Sequence, residues 1–296
     1  MNDQYGGAGG LAPQAGQPGQ IAQLDVADVL RTTFKTMRAA VAPIMGCAIT
    51  VVVPTAVLNF LVAVASHFLT REMLTAGPDQ QAMAGMMMLP LVILVLPVFL
   101  ALQAVGQGGI VYAVAEQLSG RTPALGQALR VGLSRAVWVF LTSMLVTLVC
   151  GVGMIACFVP GFIAAIFLCV AAPVCIVERA GPIASMQRSV QLTEGNRLGI
   201  FLVFLAAMVG WFIIAMCVIM PVQVVIVGGA AAAGGPGAIQ AMQDPLSIGN
   251  ILMQIVQVPV TLFAVMAGST MVAVIYARLR GIRDGVDAQA IASVFA

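Results

Sequence analysis

The stretch that decides the fold is AVWVFLTSMLVTLVCGVGMIACFVPGFIAAIFLCVAAPVCIV, residues 136–177, 42 residues without one Asp, Glu, Lys, Arg or His. A helix crosses a bilayer in about 20 apolar residues. This run is therefore long enough for two crossings, and Val159-Pro160-Gly161 near its middle is a turn signal. It reads as two spans joined in a tight hairpin.

Working outward, similar gaps without charge lie between Arg38 and His67, Asp79 and Glu116, Arg197 and Asp244, and Asp244 and Arg278. The chain is 61% hydrophobic and only 8% charged, against roughly a quarter charged in soluble domains. These values exclude a water-soluble globular domain. The expected fold is all-α integral membrane, with six transmembrane helices over about 40–66, 85–113, 136–156, 161–177, 198–227 and 248–277. Pro54, Pro90, Pro97, Pro173, Pro221 and Pro259 supply kinks, which membrane helices tolerate where neighbours satisfy the freed carbonyls.

Orientation follows from Lys and Arg, which accumulate on cytoplasmic segments. With six spans, one side holds Arg31, Lys35, Arg38, Arg121, Arg130, Arg135, Arg179, Arg188, Arg197, Arg278, Arg280 and Arg283, and the other holds Arg71 alone. A single crossing over 136–177 would destroy this bias. Both termini are thus expected in the cytoplasm of a cell (inner) membrane protein. Residues 1–23, rich in Gly, Gln, Ala and Pro, read as a disordered cytoplasmic tail. The membrane domain covers 24–283, and 284–296 form a short cytoplasmic C-terminal segment.

Ahead of the first, third and fifth spans lies an amphipathic stretch. Val26, Val29, Leu30, Phe34 and Met37 share one helical face opposite Asp28, Arg31, Lys35 and Arg38. Leu125, Leu129 and Leu133 oppose Gln127 and Arg130, after Thr122 and Pro123 as N-cap and first helical residue. Ile183, Met186 and Val190 oppose Gln187, Arg188, Gln191 and Glu194, after Pro182. Arg121 to Arg130 and Arg179 to Arg188 are equal steps of nine residues. The pattern points to a threefold internal repeat over about 24–118, 119–178 and 179–283, each unit a cytoplasmic amphipathic helix and a two-span hairpin. The alternative is that any helix joining two spans at a basic boundary looks this way.

Residues 173–197, PVCIVERAGPIASMQRSVQLTEGNR, carry Glu178, Arg179, Gly181, Pro182, Arg188 and Ser189 in a pattern that resembles the glycerophosphoryl diester phosphodiesterase membrane domain family. Gly120-Arg121-Thr122-Pro123 and Tyr276-Ala277-Arg278-Leu279-Arg280 are similar to that family as well, and the resemblance covers about 24–284. It implies a bacterial or archaeal six-span protein. Some members are fused to a soluble phosphodiesterase barrel with paired His residues and carboxylate metal ligands. This chain has one histidine, His67, so the resemblance implies the membrane part without the enzyme.

The residues themselves suggest no catalytic group, metal site or cofactor. His67 has only Arg71 and Glu72 beside it, too few ligands for a metal. The six cysteines fall inside spans, where Cys acts as a small apolar residue, and Met86, Met87 and Met88 read as packing or lipid-facing. Gly106, Gly108 and Gly109 lack the Lys-Ser/Thr of a phosphate loop and read as close-packing points. No nucleic-acid partner is expected.

Two functional readings stay open. In the first, the chain is a non-enzymatic module that meets anionic lipid headgroups, or organises a membrane protein partner or a second copy, through Arg31, Lys35, Arg38, Arg121, Arg130, Arg179, Arg188 and Arg197. In the second, it is a transporter or permease-like carrier whose polar seam is Gln103, Gln107, Asn250, Gln254 and Gln257. Uncharged amides also serve as glue between helices.

Overall fold

The computed structural model describes residues 24–71, 78–156, 158–229, 232 and 245–285. The expected tail, most of the C-terminal segment and most of the Gly/Ala-rich stretch 228–237 lie outside the described residues. The elements are α1 (Val26–Ala39), α2 (Val41–Arg71), α3 (Pro78–Leu118), α4 (Leu125–Ala156), α5 (Phe158–Leu168), α6 (Ala171–Val177), α7 (Pro182–Thr193), α8 (Arg197–Ile214), a π-helical turn (Ala215–Ile219), α9 (220–229) and α10 (Ile248–Asp284). No strand occurs among the described residues. Six stretches are long and apolar enough to cross a membrane: Val41–Phe68, Ile93–Leu118, Leu125–Ile155, Val159–Val177, Arg197–Gly229 and Ile248–Asp284. The all-α, six-span class read from the sequence is the class observed.

Two details differ from the expected layout. The second amphipathic stretch is not a separate helix but the first turns of α4, because nothing between Leu125 and Ala156 breaks the helix. The fourth span is two pieces, α5 and α6, separated at Cys169 and Val170. Pro173 explains the break: it has no N–H to give the Cys169 carbonyl four residues back, and its ring crowds that carbonyl. The hairpin before it closes by near contact of α4 and α5, where a Cβ on Gly153 would lie 2.8 Å from the Gly161 Cα.

Local signals set the ends. Asp25 caps α1 by accepting from the Ala27 N–H, with Asp28 in the first turn and Arg38 in the last, matching the helix dipole. Ser247 caps α10 through the Asn250 N–H at 3.2 Å, and left-handed Gly285 ends it.

The core gathers at the basic end. Among the described residues, the last one buried in α2 is Thr55, in α4 Thr142 and in α8 Val203, whereas in α10 the first is Met266. Beyond these levels the described residues of α2, α4, α8 and α10 are exposed or half-buried, with Gly161 of α5 buried at the α4–α5 hairpin, and 208–213 are exposed around the whole helix circumference. The bundle is closed in its basic half and opens away from it. Close approach of α3 and α4 holds that half together: a Cβ on Gly132 would meet the Val105 carbonyl oxygen at 2.3 Å. Such approaches let dispersion and backbone contacts replace a hydrophobic driving force that lipid cannot supply.

The amphipathic segments pack by a face turned from the apolar stripe toward small residues, about a quarter turn in α7 and α4, while α1 keeps Val29 and Met37 of its stripe in the contact. α7 buries Ser185, Ser189, Leu192 and Thr193, while Ile183 is 66% exposed. α1 buries Val29, Thr33, Thr36 and Met37, while Phe34 is 46% exposed. At the start of α4, Ala128 and Gly132 are buried and Leu133 is 69% exposed. Lipid is as apolar as a protein core, so small residues seek the helix contact and large apolar ones face outward.

Candidate site at the basic end

The end of α10 is a hub of charge. Tyr276 donates its hydroxyl to Glu178 Oε1 at 3.2 Å, and Arg280 Nη1 donates to the same hydroxyl at 3.2 Å. Arg188 Nε donates to Glu178 Oε2 at 3.3 Å, and its Nη2 bonds Asp284 Oδ2. Arg278 Nη2 reaches Asp28 at 2.8 Å and Thr32 at 3.3 Å on α1, and Arg283 Nη2 reaches Glu194 at 3.1 Å in the α7–α8 turn. In the same region the Leu24 N–H donates to Asn196 Oδ1 at 2.9 Å, fastening the start of α1 to that turn. α6, α7, α10, α1 and the α7–α8 turn are thereby tied at one end.

This network balances itself. Arg188, Arg278, Arg280 and Arg283 face Asp28, Glu178, Glu194 and Asp284. Arg121 lies 3.9 Å from the buried Glu116 carboxylate. The structure thus divides the arginines of one boundary into two populations. Arg188 is neutralised within the network. Arg31, Lys35, Arg38 and Arg130 are exposed and make no ion pair among the described residues.

Each residue of the 173–197 pattern has a local task. Gly181 and Pro182 are N-cap and first residue of α7, a favourable start because Pro needs no donor there. Arg179, exposed, takes φ 54 in the turn before it. Ser189, fully buried, donates to the Phe167 carbonyl at 2.7 Å, one of the acceptors left open where α5 stops. Arg197 lies over the Phe167 ring with its guanidinium carbon 4.0 Å from the centroid, a cation–π contact.

The amides of the expected seam stand at two heights. Gln103 and Gln107 are half-buried in α3; Asn250 and Gln254 are half-buried and Gln257 exposed in the first turns of α10. α3 and α10 run in the same direction and share a cavity lined by Val111, Ala115, Ala273 and Tyr276. At 1.5 Å per residue, the two amide groups therefore differ in depth by about 20 Å. That shared cavity is apolar and about 10 Å³, room for one water at most.

No family model, curated protein or solved structure matches this chain.

Sequence reasoning did not find Asp28, Thr32, Glu194, Asn196 or Asp284. Their only advance signal was a carboxylate or polar side chain among basic residues at the boundary, which does not reveal a partner 89 to 250 residues away.

Proposed function

We propose that this chain is a non-enzymatic, multi-pass protein of the cell (inner) membrane of a bacterium or archaeon, with its basic end and both termini cytoplasmic, that meets anionic lipid headgroups through α1. The observation that carries this reading is the outer face of α1. Arg31, Lys35 and Arg38 are exposed there without a carboxylate partner, beside an exposed Phe34 and Val41. An apolar edge that can enter the acyl boundary next to a row of cations is what an interfacial helix needs. Each basic residue near an anionic surface contributes about 1 kcal/mol. The resemblance of residues 173–197 supports placing the chain with the stand-alone glycerophosphoryl diester phosphodiesterase membrane domains. On this reading the neutral network is a strut that holds α1 against α10, and the triple repeat describes how the three basic segments came to share one boundary.

The test is lipid retention. Native mass spectrometry of protein released from mixed nanodiscs is expected to show a preference for phosphatidylglycerol over phosphatidylcholine that falls tenfold or more in the variant Arg31→Gln/Lys35→Gln/Arg38→Gln. An unchanged preference in a folded variant sinks the proposal.

A carrier is the second reading, and one observation favours it: Asn59, Gln223 and Gln257 are exposed in the half where the spans part. Solute-dependent protection of a cysteine placed at Gln257 supports a carrier. Labelling indifferent to every solute offered counts against it.

A further inference from the structure

Two guanidiniums from different elements converge on one carboxylate oxygen. Arg188 Nη2, from α7, bonds Asp284 Oδ2, while Arg280 Nε, from α10, lies 3.8 Å from the same oxygen, beyond hydrogen-bond reach. That Nε is buried and has no acceptor among the described residues. Buried charged donors are as a rule matched, so this pair of guanidiniums is not fully served by the chain's own carboxylate.

Asp284 is also a poor permanent occupant. It is the last residue of α10, where the negative end of the helix dipole opposes a carboxylate, and left-handed Gly285 follows it. Fraying of one terminal turn removes it. The rest of the cluster does not depend on it. Glu178 Oε2 holds Arg188 by Nε, and the Tyr276 hydroxyl holds Arg280 by Nη1, itself fixed on Glu178 Oε1. Both guanidiniums stay aimed when Asp284 leaves.

Charge then names the ligand. Arg188, Arg280 and Glu178 without Asp284 carry a net charge of one positive unit. A single monoanionic phosphate balances it, whereas a dianion does not. The cluster lies at the basic ends of the fourth and last spans, which on the six-span reading is the level of the phospholipid headgroups. Paired Arg donors match phosphate oxygens.

We propose that Arg188 and Arg280 form a site for the monoanionic phosphate of a membrane phospholipid, with the Asp284 carboxylate as its built-in competitor. The site reads the phosphate and not the headgroup's net charge, so it takes phosphatidylcholine and phosphatidylglycerol alike. This separates it from the α1 surface, and the two stand or fall independently.

The experiment titrates full-length wild type, Asp284→Asn, Arg280→Gln and the double variant, in mild detergent, with short-chain phosphatidylcholine, short-chain phosphatidylglycerol and inorganic phosphate, read by native mass spectrometry. Asp284→Asn is expected to bind both phospholipids about fivefold more tightly, the scale of one partly exposed ion pair. Adding Arg280→Gln abolishes the gain, and Arg31→Gln/Lys35→Gln/Arg38→Gln leaves it intact. Inorganic phosphate that competes as well as lipid overturns the lipid assignment. An Asp284→Asn protein that melts earlier and binds lipid no better shows a purely structural ion pair and overturns the site. Should Asp284→Asn fail to fold, wild type against Arg280→Gln decides: a several-fold loss of phosphatidylcholine binding supports the site, and equal binding overturns it.

Discussion

Tyr276 and Glu178 are 98 residues apart in sequence and joined at 3.2 Å, hydroxyl to carboxylate, where the last span meets the end of the fourth. Glu178 receives Arg188 on its other oxygen, and the Tyr276 hydroxyl receives Arg280. One phenol oxygen thus sits between a carboxylate that accepts and a guanidinium that donates. Tyr276 is 1% exposed, so the oxygen has little water to fall back on.

Removing that oxygen tests the junction. Tyr276→Phe keeps the ring and deletes one donation and one acceptance, which places its cost at about 1–3 kcal/mol. A lower melting temperature in detergent is expected. If Glu178→Gln adds nothing further in the Tyr276→Phe background, the two act as a unit; full additivity speaks against the contact.

On α7 the buried Ser189 and the outward-facing Ile183 reverse the usual substitution rule. Ser189→Leu forces a large side chain into a fully buried helix contact and leaves the Phe167 carbonyl without its donor, an expected loss of 2 kcal/mol or more, roughly. Ile183→Ser, on a residue 66% exposed, is expected to leave the melting temperature within a degree or two. Thermal denaturation of both variants settles the direction, and equal losses would mean that α7 packs by its apolar stripe after all.

The spans were legible because a run of apolar residues longer than one bilayer crossing has few alternatives, and because Pro160 and Gly161 signal a division of the longest run, although they lie in the first turn of α5 and not in the connection, since Pro is tolerated where no helical donor is needed. The packing faces were legible only in part, through Val29 and Met37 of α1. Hydropathy separates water from oil, and at this boundary both lipid and core are oil, so Leu133, Ile183 and Phe34 carried no sign of which they would meet. Ser185, Ser189, Thr33 and Gly132 were the informative residues, by size. Of the site, Glu178, Arg188 and Ser189 stood out in a recognisable pattern, but Asp28 meets Arg278, and Glu194 meets Arg283, only through the tertiary fold.

Among the described glycines, Gly132 makes the closest approach to a neighbouring backbone atom. A methyl group there would lie 2.3 Å from the Val105 carbonyl oxygen, and 3.0 Å from the Gly109 nitrogen, so α3 and α4 must move apart. Gly132→Ala is expected to cost about 1–3 kcal/mol, seen as a lower melting temperature or a shift toward aggregate on size exclusion. Gly126→Ala, which meets nothing within 4 Å, serves as the control and should behave as wild type.

The proposal that α1 lies in the lipid boundary, with Phe34 toward the acyl chains and Lys35 toward the headgroups, is tested most directly by depth. Spin labels placed singly at positions 34 and 35 in a cysteine-free background, reconstituted in phosphatidylglycerol-containing nanodiscs, report their exposure to oxygen and to a water-soluble nickel complex. The label at 34 should favour oxygen and the label at 35 the nickel complex. Two labels equally open to nickel would place α1 in water and contradict the account.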